Sequence, residues 1–373
     1  MMNTMSTPYS LTCPDLDTLT MERDDLDCAI APIARYWTEI DDDLRALGGE
    51  QAAKIRRMRL DTAEFDYPRA AYWHDPESVD VIADAPYRAD GGYDRAHGQV
   101  RGHLLDLYLP HAAIVSGGAA LPVYIDVHGG GFCYGYKELN RNFCTHLAAL
   151  GFAVFSLSYR PAPQTDLRGQ LTDIQDALRW IRANLGRFPV NPDAVFLTGD
   201  SAGACLALLT MAIELDAGAA AAFGVPRPSG LPIAGGALIS GVYDITEASP
   251  MRERLTDTLG PRFFAGLEAA QPFLSPATLV PRCPLPPLYL QTSSDDFIEA
   301  ETLALATSLS ACRGDFELHD EKVPSTRTLG HVFPVCMTWL EDSEQVLARM
   351  RRFVYRLARG GRRTTMILRF PRH

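Results

Sequence analysis

From residue 103 onward, short apolar segments alternate with helical segments, and this alternation limits the fold more than any other feature of the sequence. Three runs, 121–127 (LPVYIDV), 152–158 and 194–198, are almost entirely apolar and end in turn residues. Such runs are typical of strands buried on both faces of a parallel sheet. Runs 234–240 and 288–292 are similar, and 104–109 alternates as expected for an edge strand.

Helical segments lie between these runs and complete the predicted βαβ units. Right-handed crossovers would then place helices on both faces of a mostly parallel sheet, which is an α/β fold. The predicted helices are 137–150, 167–184, 202–215, 299–312 and 338–357.

The remaining segments suggest the domain organisation. Residues 1–75 are predicted to be a helical region that contributes to a cap, with helical spacing of apolar residues over 30–59. Residues 76–357 are predicted to form the core, beginning with a loop or irregular strand region at 76–102. A cap insertion is expected around 244–283, with one possible helix at 261–270, and 358–373 is an arginine-rich basic tail.

Composition narrows the class of protein. The 373 residues are 47% hydrophobic and 22% charged, as in soluble globular proteins, and the net charge of −11 argues against a nucleic-acid surface. The eight cysteines contain no Cys-x-x-Cys pair, which favours reduced thiols over a disulfide framework or a zinc site. We find no signal peptide and no apolar stretch of 18 residues. A cytoplasmic protein without stable membrane insertion is therefore expected.

The pentapeptide Gly199-Asp200-Ser201-Ala202-Gly203 stands between a predicted buried strand and a predicted helix. This context is that of a nucleophile elbow, in which a strained turn exposes the serine hydroxyl. Small residues two positions before and after the serine permit close packing of strand and helix. The alternative is a polar residue in an ordinary connection, so the functional interpretation requires a base, an acid and an oxyanion site elsewhere.

A glycine-rich loop, His128-Gly129-Gly130-Gly131-Phe132, directly follows the strand LPVYIDV. Consecutive glycines let backbone N–H groups converge on one point, as the oxyanion of acyl transfer requires. A phosphate-binding loop would continue with Lys-Ser or Lys-Thr, and a dinucleotide site would show G-x-G-x-x-G. Neither pattern is present, so we interpret the segment as an oxyanion loop.

The base and the acid should follow the serine in the order acid, then histidine. Of the later histidines, His373 is terminal and His319 is interpreted as a strand-face residue. His331 follows Gly330 in a loop before the last helix, and is the predicted base. The strand LYLQT is followed by the doublet Asp295-Asp296. One carboxylate would orient the imidazole and the other would cap a helix, and the residues alone leave this choice open.

Six segments in this order resemble the hormone-sensitive-lipase-like branch of the α/β-hydrolases. They cover roughly residues 100–357 and are HGGGF, SYRPAP, DIQDALRW, GDSAG, DDFIEAE and GHVF. The resemblance implies an α/β-hydrolase fold with a helical cap and, by aligning the doublet with the family pattern, favours Asp295 as the acid. It also implies oxyanion N–H groups on Gly130, Gly131 and Ala202, and a structural His128. Gly129 and Asp200 are expected to support the site.

These expectations define a serine esterase with the catalytic residues Ser201, Asp295 and His331. It would cleave short to medium acyl esters of small molecules without cofactor or metal, with a homodimer as a possible state. One alternative is an arylformamidase-like amide hydrolase, although such enzymes often carry tryptophan where Phe132 stands. Another is a small-molecule receptor on the same fold, of the kind that lacks the catalytic histidine.

Overall fold

An eight-stranded sheet forms the centre of the molecule. The computed structural model describes residues 40, 43–91, 93–94, 99–115, 120–225 and 227–358. The strands are β1 (Val79–Pro86), β2 (Leu104–Pro110), β3 (Leu121–Val127), β4 (Ala153–Leu157), β5 (Val190–Asp200), β6 (Ile233–Ile239), β7 (Leu288–Ser293) and β8 (Phe316–Glu321). Their order is β1-β2-β4-β3-β5-β6-β7-β8. Two short strands, Tyr93–Asp94 and Gln99–Val100, form a separate hairpin.

All strands from β3 to β8 are parallel to one another. At one side of the sheet, β2 pairs antiparallel with β4, and β1 pairs antiparallel with β2. The prediction of 104–109 as an edge strand is wrong, because β1 pairs with β2 and covers it. Segment 76–102, expected to be a loop or an irregular strand region, contains β1, whose residues are half-buried or exposed as befits the true edge. The register sets Val127 beside Gly199, and Gly199 beside Leu238, so the carboxyl ends of the central strands meet at one edge.

Helices cover both faces of the sheet, as predicted. One face carries the helices that cross between β4 and β6, and the other carries the helix after β3 together with the last helix. The helices are α1 (Gly49–Ala70), α2 (His111–Val115), α3 (Arg141–Ala149), α4 (Leu167–Asn184), α5 (Ala202–Leu215), α6 (Ala217–Ala222), α7 (Pro250–Leu259), α8 (Pro276–Leu279), α9 (Glu299–Ala311), α10 (Phe333–Cys336) and α11 (Glu341–Ala358). None of these helices is both long and apolar enough to cross a bilayer.

The segment after β6 differs from its predicted form. The expected helix at 261–270 is wrong, because the longest helix of this segment is α7, and residues 261–270 hold only the 3₁₀ turn Pro261–Phe264 and the start of a second 3₁₀ helix, Glu268–Phe273. Ser249 caps α7 by accepting from the N–H groups of Met251 and Arg252, and Pro250 occupies the first turn. Gly260 then ends the helix with φ of 85°. A serine followed by proline is a helix-start signal that outweighs the weak apolar spacing downstream.

Helix α1 brings the N-terminal region onto this segment. Lys54 pairs with Asp257 at 2.7 Å, and Gln51 hydrogen-bonds the carbonyl of Thr258, so α1 lies against α7. The predicted helices over 30–59 fall partly outside the described residues. In the described part, α1 begins at Gly49 and continues beyond the predicted end to Ala70. The expectation that the N-terminal region contributes to a cap stays a prediction, and the contact with α7 is the arrangement it requires.

A buried guanidinium fastens α1 to the core. Arg59, 1% exposed, forms a bidentate pair with Asp43 at 2.8 and 2.6 Å. Its Nε donates to the carbonyl of Cys133 at 2.8 Å, and Nη2 also donates to the carbonyl of Ala162 at 3.0 Å. Cys133 lies two residues after the glycines of the HGGG loop, so a single side chain links the N-terminal region to that loop.

We expect Arg59→Met to lower the free energy of unfolding by about 3 kcal/mol or more. The substitution removes the guanidinium that is paired with the buried Asp43 carboxylate, and breaking a buried pair costs roughly 3–5 kcal/mol. Arg57→Met is the matched control, since Arg57 lies on the same helix, is 74% exposed and, within the part of the chain that the structure describes, pairs only with Asp61. That variant should change stability by less than about 1 kcal/mol. Urea unfolding of both proteins measures the difference, and equal stabilities would contradict this role of Arg59.

Candidate catalytic site

Ser201 occupies a sharp turn between β5 and α5. Its φ and ψ are 50° and −119°, a conformation that is costly for a residue with a side chain. The turn is held because the Ser201 N–H donates to the carbonyl of Ile239 at 3.0 Å, while its own carbonyl accepts from Val242 at 3.3 Å. At Gly203 a Cβ atom would overlap the carbonyl oxygens of Val127 and His128. The strand, turn and helix therefore have the geometry expected of a nucleophile elbow.

The HGGG loop runs beside this turn. Gly130 has φ of 97°, and a Cβ there would overlap the Tyr134 carbonyl, so the loop requires glycine at this position. Among the described residues, the N–H groups of Gly130, Gly131 and Ala202 donate no hydrogen bond. Ala202 is also the first residue of α5, where helical N–H groups have no partner within the helix. These three donors are available for an anionic ligand.

The carbonyl groups of the glycine loop accept hydrogen bonds from residues of other segments. The Tyr159 hydroxyl donates to the carbonyls of His128 and Gly129 at 2.9 and 3.1 Å. The carbonyl of Phe132 accepts from Gln170 at 2.8 Å and from the Ala162 N–H, also at 2.8 Å. Together with Arg59 on the Cys133 carbonyl, these bonds fix the direction of successive peptide groups. A loop rich in glycine is thereby kept in one conformation.

Asp200 connects the glycine loop to the turn at Ser201 through hydrogen bonds. Its Oδ1 accepts from the Gly129 N–H at 3.0 Å and from Asn140 Nδ2 at 2.8 Å. Asn140 Nδ2 also donates to Asp126 at 3.1 Å, which extends the network to the end of β3. Burial raises the pKa of Asp126 to about 7, and the charge of Asp200 acts in the same direction. Gly129 and Asp200 thus contact each other, in the supporting positions expected for them.

His331 lies on the loop after β8 and meets Asp296. Its Nδ1 donates to the two carboxylate oxygens of Asp296 at 2.9 and 3.1 Å, and the Asp296 side chain is fully buried. Burial acts to raise the pKa of Asp296, but the hydrogen bond and charge of His331 outweigh it and lower that pKa below its ordinary value. An ionised carboxylate is therefore held against one ring nitrogen, leaving Nε2 as the nitrogen that can accept a proton.

The assignment of the acid to Asp295 is corrected by this geometry. Asp295 Oδ2 accepts from the N–H groups of Leu329 and Gly330 at 2.9 and 3.0 Å, and Oδ1 accepts from Ser293 at 2.8 Å. Asp295 therefore binds the backbone just before His331, whereas Asp296 binds the His331 ring. The helix-capping role considered for one of the two carboxylates is also absent, since α9 has no side-chain cap.

His128 and His319 occupy the positions expected of structural residues. His128 is fully buried, its Nδ1 donates to the Gly129 carbonyl at 2.9 Å, and its ring stacks on Tyr159 at 4.3 Å. Burial lowers the pKa of His128 to about 4. His319 lies on β8 and stacks on Tyr289, in agreement with its interpretation as a strand-face residue. His373 lies outside the described residues.

Two side chains of α1 contact the glycine loop, and neither contact was predicted from the sequence. The Met58 methyl group lies where a Cβ of Gly131 would be, so Met58 covers the glycine loop. Arg59 reaches the same loop from the next position. Neither residue belongs to a recognisable motif, and the only available signal was the predicted cap role of residues 1–75.

Comparison with known proteins places the chain in a family. A family model described as alpha/beta hydrolase fold matches residues 124–328, more than half of the chain. The chain therefore belongs to the alpha/beta-hydrolase family, and the expected resemblance to its hormone-sensitive-lipase-like branch is confirmed.

The similar proteins include several esterases. Esterase B from Lactobacillus rhamnosis has 29% sequence identity with a TM-score of 0.73, and the alignment covers 86% of this chain and 97% of that one. Among curated sequences, Esterase LipQ of Mycobacterium tuberculosis is 28% identical over 56% of this chain and 45% of its own. Carboxylesterase NlhH of the same species is 26% identical over 54% of this chain and 64% of its own. The matches thus span less than two thirds of these curated relatives.

Proposed function

We propose that this protein is a serine carboxylesterase. One observation carries the proposal: an Asp296–His331 pair lies at the sheet edge where Ser201 stands on a strained turn beside an HGGG loop. Each part has a defined task in acyl transfer, and the order serine, acid, histidine is that of the fold. The relatives' names point to the same class of reaction.

In the proposed mechanism, Ser201 Oγ attacks the ester carbonyl carbon while His331 Nε2 takes the hydroxyl proton. Asp296 keeps the imidazole in the required tautomer and stabilises the imidazolium. The carbonyl oxygen, now an oxyanion, accepts from the N–H groups of Gly130, Gly131 and Ala202. The C–O bond then breaks, and His331 gives its proton to the leaving alcohol. Water repeats these steps on the acyl-enzyme and releases the acid.

We infer a preference for short to medium acyl chains. Helix α1 contacts α7, its Met58 fills space next to Gly131, and Phe263, just after α7, packs on Phe132 of the glycine loop. Such covering limits the length of chain that fits beside the oxyanion site. Esterase B, a similar protein, has been solved inhibited by a C4-C4 SN3 tributyrin phosphonate. The proposed substrates are small-molecule esters, and the proposed reaction uses neither metal nor cofactor.

A series of p-nitrophenyl esters from C2 to C16 tests this proposal. We expect kcat/KM to be highest between about C2 and C8 and to fall by at least tenfold at C16, because a longer chain meets the covering helices. Phenyl acetate and N-formylkynurenine, assayed side by side, separate an esterase from an arylformamidase-like enzyme. If neither class of substrate is turned over and a fluorophosphonate fails to label Ser201, the protein is a binding protein instead.

A further inference from the structure

An exposed aromatic ring lies against the histidine of the site. The Phe297 side chain is 72% exposed, and its ring centre is 4.6 Å from that of His331, tilted by 54°. Both chain neighbours, Asp296 and Ile298, are buried, and the Ile298 N–H donates to Asp296 at 3.0 Å. The backbone therefore holds Phe297 in place, with most of its ring turned to solvent.

The Phe297 ring lies next to the imidazole that the leaving alcohol would approach. Because Nδ1 of His331 faces Asp296, the other nitrogen, Nε2, must deliver the proton to the alcohol oxygen. That transfer requires the oxygen to come within about 3 Å of Nε2. Groups attached to the oxygen then lie next to an imidazole on which Phe297 already packs. The exposed face of Phe297 is an apolar surface within their reach.

We propose that Phe297 is a specificity-determining residue that forms one wall of the alcohol side of the site and favours esters of aromatic or bulky apolar alcohols. This inference rests on the proposed esterase function. An aromatic alcohol would bury the exposed ring and gain an aromatic pair contact, whereas a two-carbon alcohol would leave most of the ring in water. Selectivity between alcohols should therefore depend on Phe297, while acyl selectivity should not.

The test compares benzyl acetate with ethyl acetate, which share the acyl group. We expect Phe297→Ala to reduce kcat/KM for benzyl acetate about five- to tenfold more than for ethyl acetate, and Phe297→Leu to give a smaller reduction. Val115→Ala is the matched control, since Val115 is 69% exposed on α2, which follows the antiparallel strand β2 and not one of the parallel strands that carry the site. It should leave the ratio of the two kcat/KM values unchanged.

Two results would overturn this inference, and they differ from a failure of the proposed function. Equal losses for both esters would mean that Phe297 only positions His331. A change in the pH profile of ethyl acetate hydrolysis would point to the same positioning role. A wild-type protein that hydrolyses neither ester would instead remove the esterase proposal, and the Phe297 inference with it.

Discussion

Replacement of Ser201 by alanine should reduce ester hydrolysis by about 10⁴- to 10⁶-fold. Loss of the nucleophile of a catalytic triad has effects of this size, because the remaining groups only bind and polarise the ester. Initial rates with p-nitrophenyl butyrate measure the loss, and mass spectrometry after fluorophosphonate treatment should show a single adduct on Ser201 that is absent from the variant. The folded state should be retained, since alanine removes only the hydroxyl group.

Ser310→Ala is the matched control for this experiment. Ser310 is an exposed serine on α9, and its replacement should leave both the rate and the labelling unchanged. Ser201→Ala protein that keeps more than about 1% of wild-type activity after purification from the same host would contradict the assignment of Ser201 as nucleophile.

The adjacent aspartates should differ sharply in their effect on the rate. We expect Asp296→Asn to lower kcat by about 10³- to 10⁴-fold, because the amide that replaces the carboxylate favours the wrong tautomer of His331 and does not stabilise the imidazolium. Asp295→Asn should lower kcat by no more than about tenfold, since its amide oxygen can still accept from the Leu329 and Gly330 N–H groups. The pair of variants is its own matched control, as each changes one carboxylate to an amide.

Steady-state kinetics and urea unfolding should be measured together on both variants. The expected pattern is a large loss of kcat for Asp296→Asn and a small one for Asp295→Asn, with near-normal stability in both. The opposite ranking of kcat would restore Asp295 as the acid and would mean that the His331 ring turns toward it during catalysis.

Much of the site was predictable because its parts are local. Gly199 to Gly203 form a motif whose spacing reflects contacts within one turn, and the HGGG loop follows its strand directly. His331 could be selected because the chain offers few histidines after Ser201. The parallel strands were also predictable, since strands buried on both faces leave continuous apolar runs. Strand β1 left no such signal, because an exposed edge strand has few buried residues.

The fold class could be read from the amino-acid sequence, and so could the turn at Ser201, the glycine loop at 128–132 and the candidate base His331, since each is encoded by neighbouring residues. Which aspartate contacts His331 became clear from the packed structure alone. The two carboxylates are adjacent in the chain but leave the backbone in different directions, and their partners lie about 35 residues away on another loop. It also placed Arg59 on the glycine loop, 74 residues from its carbonyl partner. Contacts between distant segments depend on packing, which no local pattern records.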